Sequence, residues 1–184
     1  MNLETYAENG DLEGVENCLK NGVNIHVNND RALRWAANNG HLEIVKYLLE
    51  NGANIHANNN YALIQATYKG YFEVVKYLLE NGANVHEEDN YALQLAAEKG
   101  YIEIVKLLLK YGANIHANNG RALLDACING HLEIVKLLLE KGADVHANND
   151  RVIGLARHYG RQDVVDFLIN YNPITRIKSA RTIM

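Results

Sequence analysis

Proline is almost missing from this 184-residue chain; the single copy, Pro173, lies near the end. The first 172 residues therefore lack the ring that most reliably breaks a helix. Cysteine is nearly as scarce. Cys18 and Cys127 are the only two, and they have no metal-ligand spacing. Two thiols so far apart read as free cysteines in a reducing, cytoplasmic compartment and not as a disulfide framework. A basic field is also missing, since Lys plus Arg total 18 against 22 for Asp plus Glu, a net charge of −4. That balance excludes a general role on nucleic acid or on an anionic membrane surface. No apolar run approaches the ~18–20 residues of a membrane span. The opening MNLETYAENGDLEG lacks the basic-then-apolar order of a signal peptide.

Asparagine, tyrosine, isoleucine and lysine are abundant, as an AT-rich coding sequence would make them. Above all there is a period. Gly10, Gly40, Gly70, Gly100, Gly130 and Gly160 fall 30 residues apart, and so do Gly22, Gly52, Gly82, Gly112 and Gly142. Val15 through Val165 and Ala36 through Ala156 keep the same step without a gap. A fixed period of this length is the mark of a repeat architecture.

Each unit reads as two short helices. In residues 30–60, Asp30 is placed to N-cap the first helix, with Asn60, Asn90, Gly120 and Asp150 as the matching residues of later units. Ala32, Leu33, Ala36 and Ala37 form its apolar face at helical spacing, and Gly40 ends it in a left-handed conformation. Leu42, Ile44, Val45, Leu48 and Leu49 form the buried side of a second helix, which Gly52 terminates. Glu43 sits near that helix's positive N-terminal end. Residues 53–59 then form a short finger. Helices of about ten residues are not stable alone in water. They must be stabilised by stacking pair upon pair, which predicts an all-α solenoid of about six helix-turn-helix units.

The stretch Gly40-His41-Leu42-Glu43-Ile44-Val45-Lys46-Tyr47-Leu48-Leu49-Glu50-Asn51-Gly52-Ala53-Asn54-Ile55, which recurs at 70–85, 100–115 and 130–145, closely resembles the ankyrin-repeat signature. The usual ankyrin unit is about 33 residues long and opens with Thr-Pro-Leu-His. Here that stretch reads Arg31-Ala32-Leu33-Arg34, Tyr61-Ala62-Leu63-Ile64 or Tyr91-Ala92-Leu93-Gln94. Three residues are missing before it. The finger should be short, and the threonine–histidine hydrogen bonds that usually brace ankyrin loops cannot form. This shortened, asparagine-rich form resembles the arrays encoded by giant DNA viruses of amoebae, which would place the chain in a host cytoplasm.

The organisation expected is one ankyrin-repeat domain over residues 1–170, with units 1–30, 31–60, 61–90, 91–120, 121–150 and 151–170. A basic tail, 171–184, follows. The end units should act as caps. Gly14 stands where unit 2 has Ile44, and Glu16, Asn17 and Cys18 replace its Lys, Tyr and Leu. In unit 6, Asp166 replaces Lys, and Asn172-Pro173 replaces Gly-Ala.

Little in the chain points to catalysis. His26, His56, His86, His116 and His146 share one position in five units, but layers ~8–10 Å apart cannot bring two such rings to one ion at ~2 Å. They read as finger residues bonded to neighbouring backbone; the resemblance adds the possibility of a hydroxylation target, because many ankyrin arrays carry a hydroxylated asparagine there. Asp125 and His158 fall where they could approach across the junction of units 5 and 6. Cys127, about 200° further round at ~100° per residue, faces the core and cannot join them. No cofactor or metal is expected. Glu43 with Lys46 and Glu73 with Lys76 read as exposed i,i+3 pairs worth a few tenths of a kcal/mol.

What varies between units is more informative. The first, fifth and eighth positions of the inner helix share one face; the resemblance implies that this face lines the concave groove where ankyrin proteins bind partners. It reads Arg31, Trp35, Asn38; Tyr61, Gln65, Tyr68; Tyr91, Leu95, Glu98; and Arg121, Asp125, Ile128. Trp, Tyr and Arg are the residues most often found as interface hot spots. Drift on an unused surface would also produce variation. Glu87-Glu88-Asp89 interrupts fingers that otherwise read Ala-Asn-Asn and could meet a basic partner, or be a solvated loop with no role.

The expectation is a monomeric, non-catalytic adaptor that binds a protein partner, with no nucleic acid and no membrane. Two alternatives stand beside it: a self-assembling piece whose basic tail meets Glu87-Glu88-Asp89 of another copy, and a metal-dependent or hydrolytic enzyme. The repeat physics makes its own prediction, because interior units have two neighbours and end units one. Hydrogen exchange should be slowest in units 2–5. Leu78→Ala or Leu108→Ala should cost about 2–5 kcal/mol, and Cys18→Ala much less. Uniform protection along residues 3–170 would count against nearest-neighbour stacking.

Overall fold

The structure, a computed structural model, describes residues 2–146 and 151–171. It contains α1 (Leu3–Asn9), α2 (Leu12–Lys20), α3 (Val27–Asn38), α4 (Leu42–Glu50), α5 (Ala57–Lys69), α6 (Phe72–Glu80), α7 (Glu87–Lys99), α8 (Ile102–Lys110), α9 (Ala117–Asn129), α10 (Leu132–Glu140), α11 (Arg151–His158) and α12 (Gln162–Ile169). No strand occurs among the described residues. Odd-numbered helices pack on one another as an inner layer, even-numbered helices form an outer layer, and each pair closes on itself. The inner layer is the more tightly knit, because its contacts are made by Ala36, Ala66, Ala96 and Ala126, all fully buried. Between the layers runs a continuous column: Leu33, Leu63, Leu93 and Leu123 from the inner helices, Leu48, Leu78, Leu108 and Leu138 from the outer ones, none more than 1% exposed. Cys127 lies in the same column, fully buried, as its register predicts.

The starts of the inner helices differ from the sequence expectation. Asp30 is not an N-cap. It sits at φ 53°, ψ 40°, the last of three consecutive left-handed residues, Asn28, Asn29 and Asp30. The same left-handed turn recurs at Asn58-Asn59-Asn60, Glu88-Asp89-Asn90 and Asn118-Asn119-Gly120. Left-handed backbone costs an ordinary residue roughly 1–2 kcal/mol, and asparagine and aspartate tolerate it best. Most non-glycine residues of positive φ here are asparagine, so the asparagine richness has a conformational reason in addition to any coding bias.

The turn points a buried polar side chain at the next unit. Asp30 Oδ1 accepts the backbone N–H of Asn54 at 2.8 Å and lies 3.0 Å from His26 Nδ1. Asn60 does the same with Asn84 (2.8 Å) and His56 (3.1 Å), and Asn90 with Asn114 (2.8 Å) and His86 (3.2 Å). An amide oxygen can only accept, so the imidazole donates through Nδ1–H. His26, His56 and His86 therefore bond a side chain four residues on, not neighbouring backbone as the sequence suggested. Together the pair supplies a brace that the missing threonine and histidine cannot. The backbone N–H of each finger histidine also donates to the Asn or Asp side chain two residues earlier, as His56 does to Asn54 and His146 to Asp144, both at 2.9 Å, an Asx turn that fixes the finger.

Three junctions are closed a second time by the residue after a helix-ending glycine. His41 Nε2 meets the carbonyl of Glu8 (3.0 Å), His131 Nε2 that of Glu98 (2.9 Å), and Arg161 Nε donates to that of Ile128 (2.8 Å). These bonds satisfy carbonyls that a helix end leaves open. In unit 1 the space that Ile44 fills in unit 2 is not empty. The ring of Tyr6 lies so close that a Cβ on Gly14 would fall 2.2 Å from its Cδ1, so glycine there admits the cap's own aromatic residue. The fingers at 147–149, Asp150, Asn172-Pro173 and the basic tail from 172 onward lie outside the described residues.

Gly120 carries no side chain with which to reach Asp144, so the junction of units 4 and 5 lacks the brace. Gly120 already sits at φ 72°, which asparagine can adopt. Gly120→Asn should raise stability by about 0.5–1.5 kcal/mol through one new hydrogen bond and slow exchange of the Asp144 amide. Asn60→Gly should cost about 1–3 kcal/mol, leaving the Asn84 amide without its acceptor. Denaturant melts of both variants check the pair, and equal effects of opposite residues at the two sites are not required.

Candidate protein-binding groove

The variable inner-helix positions lie on the side of the inner layer facing away from the outer helices, but they are not equally available. The first and eighth positions reach solvent: Arg31 is exposed, and Tyr61, Tyr91 and Tyr68 are 37%, 39% and 43% exposed. Asn38, Glu98 and Ile128 are half-buried. The fifth position closes along the array, from half-buried Trp35 and Gln65 to Leu95 and Asp125, only 5% and 7% exposed. These last two have little surface to offer a partner.

Cations stack on the rings of this face. The Arg31 guanidinium carbon is 5.5 Å from the Trp35 ring, and that of Arg34 is 5.5 Å from the Tyr61 ring of the next unit. Lys69 and Lys99 bracket Tyr68 at 5.7 and 4.9 Å. Arg34, Lys69 and Lys99 were not among the residues that variation singled out. Arg34 falls in the tetrapeptide that sets the repeat frame, where it reads as architecture; its one sequence signal is that the other units carry Ile64, Gln94 and Leu124 there. Arg34 also donates to the carbonyls of Asn29 (3.1 Å) and Asn28 (2.8 Å), tying the left-handed turn to the face. Between α3 and α5 the face opens into a hollow of about 340 Å³ lined by Asn28, Arg31, Arg34, Trp35, Asn38 and Tyr61.

Asp125 does not approach His158. Both its oxygens lie 2.9 Å from Arg121 Nε, while His158 packs edge-on against Tyr159, ring centroids 5.0 Å apart. Burial pushes the Asp125 carboxyl above its ordinary range; Arg121 pulls it down and Glu98 raises it further. Burial also pushes the Cys127 thiol up to about 12, which removes the thiolate a nucleophile needs. Among the described residues no three His, Cys, Asp or Glu side chains come together as metal ligands. No described helix is long and apolar enough to cross a membrane.

At the acidic finger, Glu87 turns back into the array. Its Oε2 accepts from Asn60 (3.2 Å) and Asn84 (3.1 Å). Glu88 and Asp89 remain exposed at the tip. On the outer layer Glu43–Lys46, Glu103–Lys106 and Glu133–Lys136 pair at 2.7–2.8 Å; Glu73 and Lys76 do not close. A larger hollow, about 660 Å³, opens there between α8 and α10 over Leu109, Ile115 and Leu137. The Leu109 and Ile115 positions are aliphatic in every described unit that has them, whereas the Leu137 position is Asn17, Tyr47, Tyr77, Leu107 or Phe167 elsewhere.

With this geometry in view, the comparisons agree. A family model described as ankyrin repeats (3 copies) matches residues 3–89 and 84–149, so the chain belongs to the ankyrin-repeat family. Its fold is an all-α ankyrin solenoid, similar to the crystal structure of the human ASB11 ankyrin repeat domain: TM-score 0.82, 28% sequence identity, 92% of this chain and 84% of that one covered. No curated protein matches the sequence. Ankyrin-repeat domains generally mediate protein–protein interaction and are typically non-catalytic.

The electrostatics of Asp125 give a signed prediction. A carboxyl whose folded pKa is raised favours folding only while protonated; that contribution is lost as pH rises through the folded value. Asp125→Asn should therefore melt at or above the wild type at pH 7, and the difference should vanish as pH falls below about 3.9, the ordinary aspartate value. A clearly lower melting temperature at pH 7 would show that the Arg121 pair outweighs burial.

Proposed function

We propose that the exposed side of the inner helices is a groove that captures a partner protein, assisted by the finger tips Glu88 and Asp89, and that the chain works as a monomeric, non-catalytic adaptor. The observation that carries this reading is the division of labour within the repeat. Core positions recur through the interior units, whereas the solvent-facing inner positions present Arg31, Tyr61, Tyr68, Tyr91 and Arg121 in different orders. Aromatic and guanidinium groups supply large contact area at low entropic cost, the make-up of interface hot spots. Six layers at ~8–10 Å give a face about 50 Å long, enough for the ~800 Å² per partner of a standard interface. We take residues 1–170 as the one functional domain. The short, asparagine-rich repeat supports the further proposal that it belongs with the giant-virus arrays and meets its partner in a host cytoplasm.

The self-assembly alternative is weaker, because Glu87 is engaged by Asn60 and Asn84 and only two acids of its cluster are left for a basic tail. Sedimentation at low and high salt distinguishes the two, since a pairing of exposed charges weakens with salt. The groove is tested by substituting Tyr61, Tyr68 and Tyr91 together with alanine. All three rings are solvent-facing, so the fold should survive. Capture of a discrete partner from host-cell lysate should fall by more than about tenfold, as loss of several hot-spot residues does. Unchanged capture would remove the groove reading.

A further inference from the structure

The Arg31–Trp35–Arg34–Tyr61 corner differs chemically from the rest of the face. The chain as a whole is net negative, yet Arg31 makes no ion pair or hydrogen bond. Glu4 and Glu8 of α1 line a shallow hollow beside it but neither pairs with it, and Glu4 accepts from Asn28 Nδ2 at 2.8 Å. Elsewhere on the face both Arg121, with Asp125, and Lys99, with Glu98, have acids at 2.9 and 2.8 Å; Lys69 lies over the Tyr68 ring. Arg31 thus stands stacked on Trp35 with its N–H edge uncommitted, above a hollow whose walls are the rings of Trp35 and Tyr61.

We infer that this hollow is a specificity pocket that takes a segment of a partner protein carrying an Asp or Glu carboxylate beside an apolar side chain. The inference rests on the groove reading and adds the chemistry of the ligand. The carboxylate would meet the planar fork of Arg31 bidentately, the geometry in which guanidinium is strongest. The apolar neighbour would lie between the rings. A volume of about 340 Å³ is at the low end of the roughly 300–1,000 Å³ of ligand pockets; it suits side chains of a longer ligand, and Tyr61, Tyr68 and Tyr91 continue the surface for the rest of the segment. A carboxylate fits better than a phosphate. Arg34 has already given Nε and Nη2 to two carbonyls, which leaves one whole fork, and a phosphate group of about −2 charge calls for more free donors.

Trp35 is the only tryptophan, so the pocket contains its own fluorescent reporter. The probe is a library of random dodecapeptides displayed on phage and selected on the full chain. Enriched peptides should carry an acid within two positions of an aliphatic or aromatic residue, and as synthetic peptides they should change Trp35 emission on binding. Replacing that acid by its amide, or Arg31 by glutamine, should weaken binding at least about tenfold. Arg31→Lys should fall between, because it keeps the charge and loses the fork. Lys46→Gln, on the outer layer and already paired with Glu43 at 2.8 Å, should stay within about twofold. Circular dichroism melts confirm that each variant folds. Enrichment of peptides without an acid, indifference to Arg31→Gln, absence of any enriched peptide, or tighter binding when phosphoserine replaces the acid would each overturn the pocket. Peptides that ignore Arg31 and Trp35 but are lost with Tyr68→Ala and Tyr91→Ala would overturn it while leaving the broader groove standing.

Discussion

One hydrogen-bonded brace holds this short-fingered array in register: the side-chain oxygen of Asp30, Asn60 or Asn90, accepting from the next unit's loop amide and from its own finger histidine. A repeat that has lost three residues must still fix the distance and angle from one helix pair to the next. Apolar packing fixes the distance, but leucine against alanine is forgiving about rotation and slip. A hydrogen bond to a buried side-chain oxygen is not, because leaving that oxygen unpaired costs about 1–3 kcal/mol. The left-handed turn exists to deliver that acceptor. Much of what looks idiosyncratic in the chain follows from it, including the runs of asparagine, the repeated histidine and the Asx turn at each finger.

The brace also sets what is left for binding. His26, His56 and His86 are committed at the finger base, so they are not a ladder of free ligands. The helix-ending glycines are covered by His41, Tyr71, Tyr101 and His131 from the following unit. What remains open is the solvent side of the inner helices, and there the units cease to resemble one another. Toward the C-terminal half the face is self-contained, with Leu95 buried and Asp125 spent on Arg121. Toward the N-terminal half rings are stacked with cations, and Arg31 has no acid to meet. The binding potential of the array is therefore uneven along its length, although its backbone is nearly uniform.

Period, helix pairing, the leucine–alanine core and the burial of Cys127 were all legible in the sequence, because each depends on a side chain's position around its own helix. The exposure of Tyr61, Tyr68 and Tyr91 was legible for the same reason. Asp30 was misread because an N-cap and a left-handed brace favour the same residues; aspartate and asparagine suit both, and only the backbone angles separate them. The proximity proposed for Asp125 and His158 failed because Arg121, four residues away on the same helix, is the nearer and stronger partner. Arg34 was overlooked because its position was read as part of the repeat frame.

The sequence by itself determined that this chain is a stack of helix pairs and which residues each pair buries, since a fixed 30-residue period with apolar residues at helical spacing admits no other way to cover them. Tertiary structure alone decided which polar groups meet across a junction and which surface positions stay open. Those depend on distances between units, where residues such as Arg34 and Tyr61, or Asp30 and Asn54, come together although nothing in the spacing of one unit records the geometry of the next.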